Sequence, residues 1–380
     1  MSAPRPMLVC VYLRGAADGL SLVPPYFEDR YYRLRPTLGV PRPDDSHSKK
    51  ADRAIDLDGR FGLHPSLAAL EPIYRANELA IIHAVGSDDQ TRSHFEAQDR
   101  MEHAGPKDQA LASGWLARHL TTRRGGRPGT LSAVALGTKA PESLRGCPTS
   151  VLESASEYRL GDGADEALAD PLAALYSGAG SALPLDEELR AAGREALDTL
   201  DRIRALDAAS ARGAKYPEGQ LGDRLREIAR FVRGDLGVEV ACADYDGWDT
   251  HFVSTKLVPD LARHLADSLA AFRTDIGDAA SNVVVVCMTE FGRRAYENTS
   301  LGTDHGRAGV MFVMGGGVRG GRVITDWPGL RENDLEPPGD LRVTIDYRDV
   351  LKEILRDRFG NTRTDEVFPG TGASVRGLFV

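Results

Sequence analysis

Histidines, carboxylates and arginines recur along this chain in short groups, each beside an apolar run. "RGAADGLS" carries Arg14 and Asp18 directly after "MLVCVYL", and "GSDDQTRSHFEAQD" carries Arg92, Ser93, His94 and Asp99 after "LAIIHAV". "DYDGWDTH" offers Asp244, Asp246, Asp249 and His251 after "VEVACA". Glu290 follows "NVVVVCM", and "GTDHG" supplies Asp304 and His305 just ahead of "GVMFVM". Carboxylate oxygens and imidazole nitrogens brought to one place are the donors of a divalent-metal site for zinc, manganese or iron. Each group also has a plainer use. Asp18 before Gly19 makes a common turn pair. "SHFE" has the spacing of a capping box, Ser93 as N-cap and Glu96 three positions on. A serine at a helix N-terminus has a chemical use as well, because the free amides and the helix dipole favour a bound anion there.

The elements that would position these groups follow from the apolar pattern. "NVVVVCM" (282–288) is β-branched without polar alternation, the mark of a strand covered on both faces. The runs at 7–13, 79–85, 131–136, 238–243 and 310–314 are similar, with helical patterns between them. Strand–helix alternation of this kind predicts an α/β fold with a mostly parallel sheet, whose chemistry gathers where the strands end at their carboxyl side. In the helical pattern 254–276, Leu257, Leu261, Leu265 and Leu269 recur every four residues. Residues 150–235 are poor in β-branched runs and rich in Ala, Leu, Arg and Glu. Leu189, Leu197, Leu200, Ile203 and Leu206 mark one helix face there, and Leu221, Leu225, Ile228 and Val232 another. This segment is expected to be a helical insertion, or lid, within a single domain spanning 1–380.

A net charge of −9 argues against a general nucleic-acid binder or a protein adsorbed on anionic membranes. The basic run "TTRRGGR" (121–127) is short and expected to be solvated loop. The four cysteines include no CxxC pair, so neither zinc clusters nor thioredoxin-type chemistry is expected. Cys10, Cys242 and Cys287 lie inside apolar runs and are expected to be buried. No run reaches the ~18–20 apolar residues that span a bilayer. The first strand candidate begins at Met7, which leaves no space for a signal peptide and makes the cytoplasm the expected location.

Taken together, "LRGAADGLSLVPPY", "IDLDGRFGLHPSL", "HAVGSDDQTRSHFEAQDRME", "DGWDTH", "TEFGRR", "GTDHG" and "GGGVRGGRV" resemble the bacterial domain of unknown function 1501 family. The matching stretches run from residue 8 to about 370. The resemblance implies a three-layer α/β fold of the alkaline phosphatase-like kind, a superfamily of sulfatases, phosphomutases and phosphodiesterases. Many relatives are exported. Carried over position by position, it implies Asp18 as a ligand of one metal and Ser93 as nucleophile, with Thr91 the lesser choice. Asp246 or Asp249 with His251 would bind a metal, as would His305. "TEFG" stands where the superfamily pattern has an Asp-His pair, so Glu290 keeps a carboxylate ligand and Phe291 cannot coordinate. One metal position is therefore expected, and a second only if His94 or Asp304 reaches in. The implied activity is metal-dependent hydrolysis of a phosphate or sulfate ester, a small anionic substrate, with Arg14, Arg92 or Arg293 clamping the oxyanion. The alternatives are a phosphomutase-like transferase and a non-catalytic binding protein that uses the same cleft.

Overall fold

A computed structural model describes residues 6–106, 109–123, 128–129, 131–155, 165–177, 187–206, 212–372 and 374–379. The strands in chain order are β1 (Met7–Leu13), β2 (Ile55–Asp56), β3 (Gly62–Leu63), β4 (Leu79–Gly86), β5 (Ala133–Leu136) and β6 (Ser150–Leu152). They continue with β7 (Val240–Tyr245), β8 (Val283–Met288), β9 (Gly309–Gly315), β10 (Arg322–Ile324) and β11 (Ile345–Asp346). Nine of them form one sheet in the order β10-β4-β9-β8-β1-β7-β5-β6, with β11 also paired to β4. Every pairing in it is parallel except those of β9, which runs antiparallel to both β4 and β8. All six predicted strands are present. β8, the valine run, lies between β1 and β9 in the middle of the sheet, so both its faces are covered and all six of its residues are buried.

Helices cover the two faces, which gives three layers and an α/β fold. On one face Leu221, Leu225 and Ile228 of the helix Gln220–Arg233 pack into the same core as Leu265, Leu269 and Phe272 of Ser254–Ile276. On the other, Trp115, Leu116 and Leu120 of Trp115–Thr122 join Val350, Leu351 and Ile354 of Tyr347–Asp357. Of the stripes predicted for the helices at 220 and 254, Leu221, Leu225, Ile228, Leu265 and Leu269 are buried, Val232 and Leu261 are partly buried, and Leu257 is the exception. Leu257 is 42% exposed, because the core-facing row of its helix runs through Val258, Ala262, Leu265 and Leu269. Between β6 and the helix at 220 the chain forms the helices Asp165–Ser177 and Glu187–Arg204; the latter buries Leu200 and Ile203 of its predicted face, while Leu189, in its first turn, is exposed. Residues 156–164, 178–186 and 207–211 of the expected insertion lie outside the described residues, as do 124–127 of the basic run. Cys10, Cys242 and Cys287 are buried and all four cysteines are free. Among the described residues no helix is long and apolar enough to cross a membrane.

This topology sends the carboxyl ends of β1, β4, β5, β7 and β8 to one edge, where the amino end of antiparallel β9 also lies. All the chemistry-bearing loops leave from there.

Candidate metal centre

β7 ends at Tyr245 and the chain turns through Trp248 to Asp249 and His251. The turn sits close against the loop after β1. Gly15 has φ +112°, and a Cβ there would lie 2.4 Å from the Asp249 amide nitrogen, so a side chain at 15 would push the acidic loop away. His305, on the loop entering β9, brings its Nε2 to 2.8 Å from His251 Nε2 and 3.1 Å from Asp249 Oδ1. His251 Nε2 is 3.0 Å from the same oxygen. His94, the first residue of the helix His94–His103, places its Nε2 3.4 Å from it. Three imidazole nitrogens thus surround one carboxylate oxygen.

The far side of two of the rings is held. Glu290 Oε1 lies 2.8 Å from His94 Nδ1, and the Arg92 carbonyl lies 2.8 Å from His305 Nδ1. These acceptors place the proton on Nδ1 and leave the Nε2 lone pairs facing inward, the arrangement that oxygen partners impose on metal-binding histidines. Asp304 Oδ1 stands 3.8 Å from His251 Nδ1. Phe291 stacks on His94 with ring centroids 5.0 Å apart and lies equally far from His305. The residue that cannot coordinate is a wall that sets the tilt of two that can.

The electrostatics agree. Glu290 is buried, which by itself would raise its pKa, but bonds from His94, Gln98 and the Gly15 amide hold it down at about 2. His94 is raised, chiefly by its bond to Glu290. Burial raises Asp249 too, and is outweighed chiefly by the hydrogen bond from Arg293, which keeps it below the ordinary carboxylate range. Burial lowers His305. Nε2 of His94 is buried without a hydrogen-bond partner. Lone pairs of His94 and His305 facing a carboxylate oxygen repel unless a proton or a cation lies among them, and an orphaned buried ring nitrogen needs the same remedy. His94, Asp249 and His305 each offer an atom within 4.8 Å of the other two, and His251 Nε2 adjoins two of them, donors that suit a divalent ion of the zinc, manganese or iron kind.

Other residues expected at the site have different partners. Asp18 forms a buried ion pair with Arg35 at 2.6 and 3.0 Å and accepts from Ser21 at 2.7 Å, so both its oxygens are occupied away from the histidines. Burial raises its pKa, but Arg35 and Ser21 together lower it below the ordinary value. Glu290 sits behind His94 as its orienting carboxylate, and Asp304 pairs with Arg294 at 3.0 Å. Asp246 accepts from Gln220 at 2.6 Å, on the far side of its loop. The three arginines expected as a clamp are all committed. Arg14 binds Glu102 and Asp244, and Arg92 binds Asp340. Arg293, fully buried, donates to the carbonyls of Gly15, Ala16, Trp248 and Thr303 and to Asp249, tying the four site loops together. Ser93 is the N-cap, yet its hydroxyl makes no capping bond. Thr91 takes that part, donating to Glu96 at 2.9 Å and accepting from the Ser93 amide at 3.2 Å. His94 is the member that the sequence held only in reserve, because "SHFE" looks like a cap and its histidine like a solvated first-turn residue.

Solved structures similar in outline include the PH0037 protein from Pyrococcus horikoshii, 13% identical, covering 95% of this chain and 98% of that one at a TM-score of 0.37. The PsFucS1 sulfatase from Pseudoalteromonas sp. is 11% identical, covering 84% of this chain and 64% of its own at 0.34. The phosphonate monoester hydrolase of Agrobacterium radiobacter is 11% identical, covering 98% and 79% at 0.35. No curated protein matches. A family model described as "Protein of unknown function (DUF1501)" matches residues 5–369, nearly the whole length, and the chain belongs to that family.

Proposed function

We propose that the protein is a metal-dependent hydrolase of phosphate or sulfate esters, built on one ion held by His94, Asp249, His251 and His305. The observation that carries this reading is the mutual approach of His94, Asp249 and His305, with His251 Nε2 beside the last two and His94 Nε2 buried, without a hydrogen bond, 3.4 Å from Asp249 Oδ1. When bound, a divalent ion would act there as a Lewis acid on the ester oxygen. The chain's own part is positional. Glu290 and the Arg92 carbonyl hold two imidazoles in one tautomer, Phe291 fixes their tilt, and Arg293 holds Asp249 in register. Ser93, one residue before His94 at the start of a ten-residue helix, supplies the hydroxyl oxygen that attacks the phosphorus or sulfur while its proton goes to the departing alcohol, and water then cleaves the seryl ester to release phosphate or sulfate. Its oxygen makes no hydrogen bond among the described residues and is available for that task. The test is turnover of p-nitrophenyl phosphate, bis-p-nitrophenyl phosphate and p-nitrophenyl sulfate by protein supplied with zinc, manganese or iron(II). Turnover abolished by chelator, by His305→Ala and by Ser93→Ala supports the reading. One observation favours a second reading, a metal-binding protein without hydrolase activity: Arg14, Arg92 and Arg293 are already paired, which leaves none of them free to clamp an oxyanion. Metal-loaded protein that turns over none of the three esters would decide for it.

A further inference from the structure

Beside the histidine centre, at the carboxyl ends of β1, β5 and β7, lies a cavity of about 600 Å³, within the size range of small-molecule sites. Arg14 and Asp244 form its floor, and the helix His94–His103 contributes Phe95, Gln98 and Glu102 to one wall. The charges at its floor are paired with one another, while Arg224 and Asp246 are held by neutral partners. Arg14 lies 2.6 Å from Glu102 and 2.8 Å from Asp244, and burial, which would lower its pKa, is outweighed by these two carboxylates. Arg224 donates to the Asp244 carbonyl, Gln220 and Asp246 exchange two hydrogen bonds at 2.6 and 2.9 Å, and Arg145 lies 3.2 Å from Glu142. Only Lys139, exposed on the outer loop, is a lining cation without a partner among the described residues. A charged ligand that displaced Glu102 or Asp244 from Arg14 would leave a buried charge uncompensated. An uncharged ligand rich in hydroxyls would not, since each hydroxyl both donates and accepts and can add to a paired carboxylate or guanidinium without displacing its partner. Phe95 stands at the rim, 89% exposed, an aromatic face with nothing packed on it. Polar walls that fix hydroxyls and one aromatic face that covers C–H groups are complementary to a sugar ring.

The cavity is wired to the metal centre. Gln98 lines it and donates at 3.0 Å to Glu290, the residue that orients His94, and Asp246 lies on the same loop as Asp249. We propose that this cavity holds the uncharged polyhydroxylated part of the substrate, a sugar ring, whose ester group reaches the histidine centre. The placement of the ester rests on the hydrolase reading; binding of the ring does not. The test is saturation-transfer NMR and calorimetry on the full chain with a panel of neutral methyl hexosides, methyl 6-deoxyhexosides and methyl pentosides, against citrate and spermidine as charged controls. Binding of at least one glycoside is expected, with affinity falling roughly five- to tenfold in Phe95→Ala, whose exposed side chain the fold does not need, and falling likewise in Asp246→Asn. It should be unchanged in His305→Ala. No glycoside binding, preference for a charged control, or binding indifferent to both cavity variants would overturn the proposal. Loss of ester turnover with glycoside binding retained would count against the hydrolase alone, and turnover without glycoside binding against the cavity alone.

Discussion

Glu290, expected as a direct metal ligand, has one oxygen taken up by His94 Nδ1 at 2.8 Å, the Gly15 amide and Gln98, which favours an orienting part for it under the reading proposed above. Glu290→Gln keeps an acceptor for those donors and loses the charge, so the fold should persist while metal affinity falls about 10–100-fold, as for other orienting partners of ligands. Competition with a chelating dye measures it, and unchanged affinity would remove Glu290 from the centre. Ser93 and Thr91 separate in the same manner. With no capping bond from its hydroxyl, Ser93→Ala should change stability by less than about 0.5 kcal/mol. Thr91→Ala loses the bonds to Glu96 and to the Ser93 amide and should cost about 0.5–2 kcal/mol. Urea unfolding of the two variants compares them directly, and the reverse order would restore Ser93 as the cap.

The loops after β1, β7 and β8 and the one entering β9 have no regular structure to hold them, and Arg293 does so with five acceptors. Arg293→Met leaves those acceptors and a buried pocket unmatched, so a loss of about 3–5 kcal/mol is expected by chemical denaturation, with metal binding lost in whatever remains folded. A small loss would mean that the loops hold themselves. The sheet itself was legible in the sequence, because "NVVVVCM" and its five companions are short, β-branched and flanked by polar chemistry. So was the edge where that chemistry meets. What the sequence concealed was which partner each charged side chain takes. Asp18 and Arg35 are 17 residues apart and pair only because the helix Asp29–Leu34 returns across the end of β1. Arg293 sits in "TEFGRR" like a substrate clamp, but the direction of its side chain is set by four loops that meet only in three dimensions. The antiparallel course of β9 was equally hidden, since a buried strand has the same apolar run in either direction.

At the scale of the whole molecule, stability should fall in mild acid for a reason remote from the metal. His83 is wholly buried in β4, with Nε2 3.0 Å from the Val23 carbonyl and Nδ1 accepting from the Ala84 amide, and burial lowers its pKa to about 4 from 6.5. The folded chain refuses a proton that the unfolded chain takes up near 6.5. The contribution is therefore complete above that pH and is lost as pH falls towards about 4, on the order of 3 kcal/mol over the window. The gap in melting temperature between the native chain and His83→Gln should narrow from pH 7 to pH 4.5; a constant gap would exclude this source. The sheet's largest task is to bring His94, Asp249, His251 and His305 together from loops up to 211 residues apart. Elemental analysis of protein purified without chelator, supplied with zinc, manganese or iron(II) and dialysed, tests that most directly. The account predicts about one ion per chain, and close to none in His94→Ala, His251→Ala and His305→Ala variants that melt cooperatively. A native chain that retains no ion, or variants that retain as much as the native chain, would contradict it.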